Sequence, residues 1–169
     1  DAAGGDYVDF WPRRDAAGRA TGELVLAIGD ASGHGLGSAL IAASCRASLR
    51  ALLLECGDLA EVLHRLDGLL QQDLRGGQFM TLFLALLDPT SGRLAYASAG
   101  PPPAPLVPPG EGVCGELRAT GPPLGLGCDA EFPVCESWLD AGDALVAVTD
   151  GVCDARDAAR ECFGEQRLH

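Results

Sequence analysis

The sequence predicts an α+β fold built mainly on antiparallel β-sheet, and three observations carry that expectation. Strand-like runs come in pairs joined by turn residues, two helical stretches follow one another between the first and second pair, and strands do not alternate with helices as parallel sheets require. At 169 residues and 47% hydrophobic content the chain has the size and apolar content of one domain with a substantial core, so residues 1–169 are expected to form a single domain. Both ends read as cut: the chain opens inside a Gly-Gly-Asp turn and stops at FGEQRLH, as at the entrance of another element.

The elements follow in order. DYVDFW reads as a strand, Arg13 to Gly22 as a polar turn, and ELVLAIGD as a buried strand ending at Asp30. After the glycine-rich ASGHGLG, residues Leu36 to Cys56 are rich in Ala and Leu and predict a long helix that Gly57 stops. Asp58 can cap a second helix, with Glu61 three residues on, and Leu59, Val62, Leu63, Leu66, Leu69 and Leu70 then recur at helical spacing. The two helices are expected to form an antiparallel pair. QFMTLFLALLD and RLAYASA, joined by Pro89 to Gly92, predict a hairpin. Pro101 to Pro109 reads as a loop with at most one short edge strand, because proline cannot donate to a ladder. VCESWL and DALVAVTD predict two more strands, separated by a turn near Asp140 to Gly142, the second ending at Asp150-Gly151.

Composition removes several functions. Twenty-four acidic against twelve basic residues give a net charge of -12, which repels nucleic-acid phosphates and anionic membranes. Nucleic acid is therefore not an expected partner. All basic residues are Arg; without Lys there is no Schiff-base chemistry and no Walker lysine. Seven cysteines, an odd number without C-x-x-C spacing, fit reduced thiols in the cytoplasm, and His34, His64 and His169 stand apart from them, which argues against zinc. No apolar run approaches the ~20 residues that span a bilayer, and DAAGGDYVDF is unlike a signal peptide, so no direct membrane contact is expected.

Three aspartates stand beside glycines at strand ends: Gly4-Gly5-Asp6, Asp30-Ala31-Ser32-Gly33-His34-Gly35 and Thr149-Asp150-Gly151. Each alone is common turn chemistry. Together they could converge, since paired strands bring their ends close and glycines let backbone carbonyls turn toward the same point. Carboxylates with a carbonyl suit Mg²⁺ or Mn²⁺, which take oxygen ligands and keep several waters. Such cations would also reverse a field that otherwise repels a phosphorylated substrate. A dinucleotide loop fails on spacing, because Ser38 occupies the place of the third glycine, and the proximity of Ser32 to His34 in sequence does not make a triad.

GGDYVDF, LAIGDASGHGLGSAL, FMTLFLALLD, LAYASAG, PPLGLG and LVAVTDGVCDARD together span nearly the whole chain, and in this order they resemble the type 2C metal-dependent protein phosphatases, specifically the bacterial branch named after the sporulation phosphatase SpoIIE. The resemblance implies two stacked antiparallel sheets flanked by helices, with two Mn²⁺ or Mg²⁺ ions between the sheets. It places Asp30 as the bridging, catalytic carboxylate, Asp6 and the Ala31 carbonyl on one metal, and Asp150 on the other. The implied reaction is hydrolysis of phosphoserine or phosphothreonine on a regulatory protein, an anti-sigma-factor antagonist, with a sensor domain outside the chain and homodimerisation left open. The chain departs from the family pattern where Pro101 and Pro102 replace a His-Pro pair. Ser32 stands where animal members carry a histidine, and a C-terminal Asp-Asp phrase is absent from these residues. The alternative reading is a pseudophosphatase that binds a partner without turnover.

Overall fold

The computed structural model describes residues 4–100, 104–110, 112–127, 129–157, 160–164 and 167; Pro101, Pro102, Cys128 and His169 lie outside them. Strand β1 (Asp6–Arg14) and β2 (Ala20–Ala31) form an antiparallel hairpin whose register sets Asp6 opposite Asp30. The Asp15 carboxylate closes the turn by accepting the N–H groups of Ala17 and Arg19, each at 2.9 Å. Two helices follow, α1 (Leu36–Glu55) and α2 (Leu59–Asp73), and a second hairpin, β3 (Met80–Leu87) with β4 (Arg93–Ala99). Asp58 caps α2 by accepting the Ala60 N–H at 3.3 Å. Asp88 organises the hairpin turn, bonded to the Thr90 N–H and the Ser91 hydroxyl. Then come β5 (Ala104–Val107), β6 (Gly115–Leu117), β7 (Cys135–Trp138), β8 (Ala144–Leu145) and the short helix α3 (Asp150–Cys153).

The strands form a five-stranded sheet, β1-β2-β3-β4-β7, and a three-stranded sheet, β6-β5-β8. Period-two alternation decides what each face meets. On β3, Leu82, Leu84 and Leu86 join the core beneath the helices, with Leu49, Leu52, Leu63 and Leu66. Phe83, Ala85 and Leu87 point the other way, into a second core with Tyr96, Ala104, Leu106, Leu117 and Leu145. The layers are thus a helix pair, a large sheet and a small sheet, matching the expected two stacked sheets with both long helices on one outer face. Arg46 and Arg50 of α1 pair with Asp9 of β1 at 3.1 and 2.8 Å, and Arg50 lies over the Trp11 ring, 4.3 Å from its centroid.

Three expectations need correction. β5 is the central strand of its sheet rather than an edge strand, despite Pro105. The proline lacks an N–H but still accepts the Val146 N–H at 2.9 Å, and Leu106 accepts that of Cys114, so both sides stay paired. The last predicted strand is short: β8 ends at Leu145, and Asp150 opens a helical turn instead of closing a strand. Finally, α1 has 20 residues and is apolar enough by length and composition to cross a membrane, unlike the sequence expectation. Its Cys45, Leu49, Leu52 and Leu53 are buried against the sheet, and its arginines face Asp9.

Candidate active site

The three predicted aspartates come together. A cavity of about 390 Å³ is lined by Gly4, Gly5, Asp6, Ile28, Gly29, Asp30, Ser32, Gly33, Phe79, Thr81, Val148, Thr149 and Asp150. Asp6 opens β1, Asp30 sits near the end of β2, and Asp150 arrives from the far end of the chain. Close packing of backbone at Gly5 holds the first two together: the Ala31 N–H donates to the Gly5 carbonyl at 3.1 Å, and a Cβ on Gly5 would stand 2.3 Å from the Ala31 oxygen and 2.9 Å from Asp30 Oδ1. On the other side, a Cβ on Gly151 would lie 3.8 Å from Asp6 Oδ2. His34, exposed on the glycine loop, is not among the lining residues.

The loop carrying Asp30 is held from β3. The Asp30 N–H donates to Thr81 Oγ1 at 3.3 Å, and the Thr81 hydroxyl donates to the Asp30 carbonyl at 3.4 Å. Ser32 donates its N–H to the Phe79 carbonyl and accepts the Phe79 N–H on Oγ, both at 2.9 Å. Ser32 is therefore a bracket for the loop, through its N–H and as an acceptor on Oγ. Thr81 and Phe79 were not legible as site residues: their place depends on the β2–β3 register, which pairs Asp30 with Thr81.

Electrostatics mark Asp30 as the centre. Burial pushes its carboxyl up to about 6, helped by the negative charges of Asp150 and then Asp6. No arginine lines the cavity to offset them. An acid raised on folding favours the folded state when protonated. Without cations its contribution is therefore complete below the ordinary carboxylate range and lost as pH rises through about 6. In EDTA, the stability difference between Asp30→Asn and the parent should grow from pH 4 to pH 7 in favour of the variant, by about 1–2 kcal/mol after allowance for solvent screening. Unfolding midpoints measured across that range check it; parallel curves would remove Asp30 as the strained acid.

The donor set fits a hard divalent cation: the lining offers three carboxylates and, among the described residues, no thiol or imidazole, while Ala31 is buried and is not among the lining residues. Among the described residues no three His, Cys, Asp or Glu side chains stand close enough to enclose a single ion.

A family model, stage II sporulation protein E (SpoIIE), matches residues 20–169. The chain belongs to the SpoIIE family. Among curated relatives, phosphoserine phosphatase RsbU of Bacillus subtilis is 26% identical over 152 residues, covering 90% of this chain and 43% of RsbU. Among solved structures, the RsbU and RsbW domains of Rv1364c from Mycobacterium tuberculosis superpose with a TM-score of 0.79 at 31% identity, covering 99% of this chain and 44% of that one. The PP2C domain of SiaA from Pseudomonas aeruginosa gives 0.77 at 24% identity, over 98% of this chain and 63% of that one, a likeness of fold. This SpoIIE-family chain spans less than half the length of RsbU and of the Rv1364c chain.

Proposed function

We propose that this SpoIIE-family chain is a metal-dependent protein serine/threonine phosphatase acting on phosphoserine or phosphothreonine of a regulatory protein, of the anti-sigma-factor-antagonist kind. The observation that carries the reading is the meeting of Asp6, Asp30 and Asp150, from three distant parts of the chain, on one cavity without basic lining. A binding module has no use for such like-charge crowding, whereas cations convert it into a phosphate site.

Asp6, Asp30, the Ala31 carbonyl and Asp150 would hold two Mn²⁺ or Mg²⁺ ions, with Asp30 shared because it feels both other carboxylates. When bound, the ions would supply an acidified water and neutralise phosphoryl charge. The protein's part is positional. Thr81 fixes the Asp30 peptide on both its N–H and its C=O. The Ala31 N–H bond to the Gly5 carbonyl anchors the Asp30–Ala31 peptide, and Ile28, Phe79 and Val148 contribute apolar parts of the cavity wall.

The expected result is phosphate release from a phosphoserine peptide and from p-nitrophenyl phosphate that needs Mn²⁺ and stops in EDTA. Calorimetric titration of Mn²⁺ should resolve at most one reasonably tight site on these residues, because few carboxylates hold a hard cation loosely. Phosphopeptide binding with no turnover at any Mn²⁺ concentration would establish the pseudophosphatase instead.

A further inference from the structure

The phrase Pro122–Gly127 carries part of the family resemblance, yet none of it lines the cavity. Its place in the fold gives it a task. Leu124 and Met80 exchange backbone hydrogen bonds, Met80 N–H to the Leu124 carbonyl at 3.0 Å and Leu124 N–H to the Met80 carbonyl at 2.8 Å. Met80 opens β3 and stands opposite Ala31; its two neighbours, Phe79 and Thr81, are the residues that bracket Ser32 and Asp30. The position of Leu124 therefore sets the strand end from which the Asp30 loop hangs.

The next residue, Gly125, is fixed from α2. Its N–H donates to Asp67 Oδ1 at 2.6 Å, and Asp67 Oδ2 accepts the Gln71 side-chain amide at 2.6 Å. Gly125 has φ +89°, and a Cβ there would fall 1.9 Å from Leu74 Cδ1, so it fits only as glycine. Asp67 is 6% exposed on a helix whose other buried residues are all apolar: Leu59, Val62, Leu63, Leu66 and Leu70. A buried carboxylate among leucines is costly unless its oxygens are matched to donors, and here both are.

We propose that Asp67 is a positioning residue for the Asp30 centre: its Oδ1 holds Gly125, which holds Leu124 against Met80, and so sets the Phe79 and Thr81 bonds that orient the Asp30–Ser32 peptides. The link to a cation rests on the phosphatase reading; the positioning itself does not. The test compares Asp67→Leu, which fills the stripe but removes the acceptor, with Asp67→Asn, which keeps an acceptor oxygen, and with Gln71→Leu as a control touching only Oδ2.

Amide exchange in EDTA is the readout that a general loss of stability would not mimic. In Asp67→Leu, protection at Gly125, Leu124, Met80 and Ser32 should fall about tenfold more than at Val62 on α2 or Leu84 in mid-β3. Mn²⁺ affinity measured by calorimetry should weaken by about tenfold, as supporting residues around metal ligands do. Asp67→Asn should recover most of both effects, and Gln71→Leu should leave Ser32 and Met80 protected. Uniform loss of protection, or loss confined to Gly125, would reduce Asp67 to a staple between helix and loop and overturn the proposal. If Asp67→Leu does not fold, Asp67→Ala, which also removes the acceptor, takes its place, and the same two exchange patterns support or overturn the proposal. Should the parent bind no Mn²⁺, the phosphatase reading fails while the exchange pattern still decides the role of Asp67.

Discussion

Asp30→Asn is expected to lower Mn²⁺-dependent phosphate release by at least about a thousandfold while leaving the fold intact. Burial and then the charges of Asp150 and Asp6 raise the Asp30 carboxyl, and its backbone is bonded to Thr81 on two sides. A shared ligand cannot be lost without loosening both cations, and with them the acidified water and the charge neutralisation that phosphoryl transfer requires. The amide is nearly isosteric, so β2 should stay paired and the circular dichroism spectrum unchanged. Phosphate release near the parental rate in a folded Asp30→Asn protein would refute the central assignment.

Gly29→Ala should be strongly destabilising. Gly29 lies in a strand paired on both sides, and a Cβ there would stand 2.3 Å from the Thr81 carbonyl and 3.2 Å from both Leu82 Cδ1 and Met80 Cε. The contact at 2.3 Å is with backbone, which cannot rotate away, and β3 cannot retreat because β4 is bonded behind it. A cost at the upper end of overpacking, about 3 kcal/mol, is expected as a lower urea midpoint with unchanged slope. Gly68→Ala, in mid-α2 with nothing within 4 Å of the new methyl, should move the other way by about 0.5–1 kcal/mol. Equal effects at the two positions would mean that the strand is not closely packed at Gly29.

Local chemistry was legible where a residue acts on its own neighbours. Asp58 before an apolar stripe announced the start of α2, and Pro89 to Gly92 between two apolar runs announced the β3–β4 turn. Asp6, Asp30 and Asp150 could be named because glycine neighbours and the family pattern single them out. What could not be read depends on pairing between distant segments. Thr81 and Phe79 enter the site through register, and Pro105 sits mid-sheet because the bonds across it run through its carbonyl and through Leu106. Asp67 could not be singled out, since its partner Gly125 lies 58 residues away.

The register that sets Asp6 opposite Asp30 has a consequence for how the centre is assembled in time. Those two carboxylates belong to one hairpin, a low-contact-order unit closed by the Asp15 turn, and they can meet as soon as the first 31 residues pair. Asp150 joins them across a chain separation of more than a hundred residues and must bear the loop-closure entropy of that separation. One half of the centre therefore rests on a local contact and the other on a long-range closure.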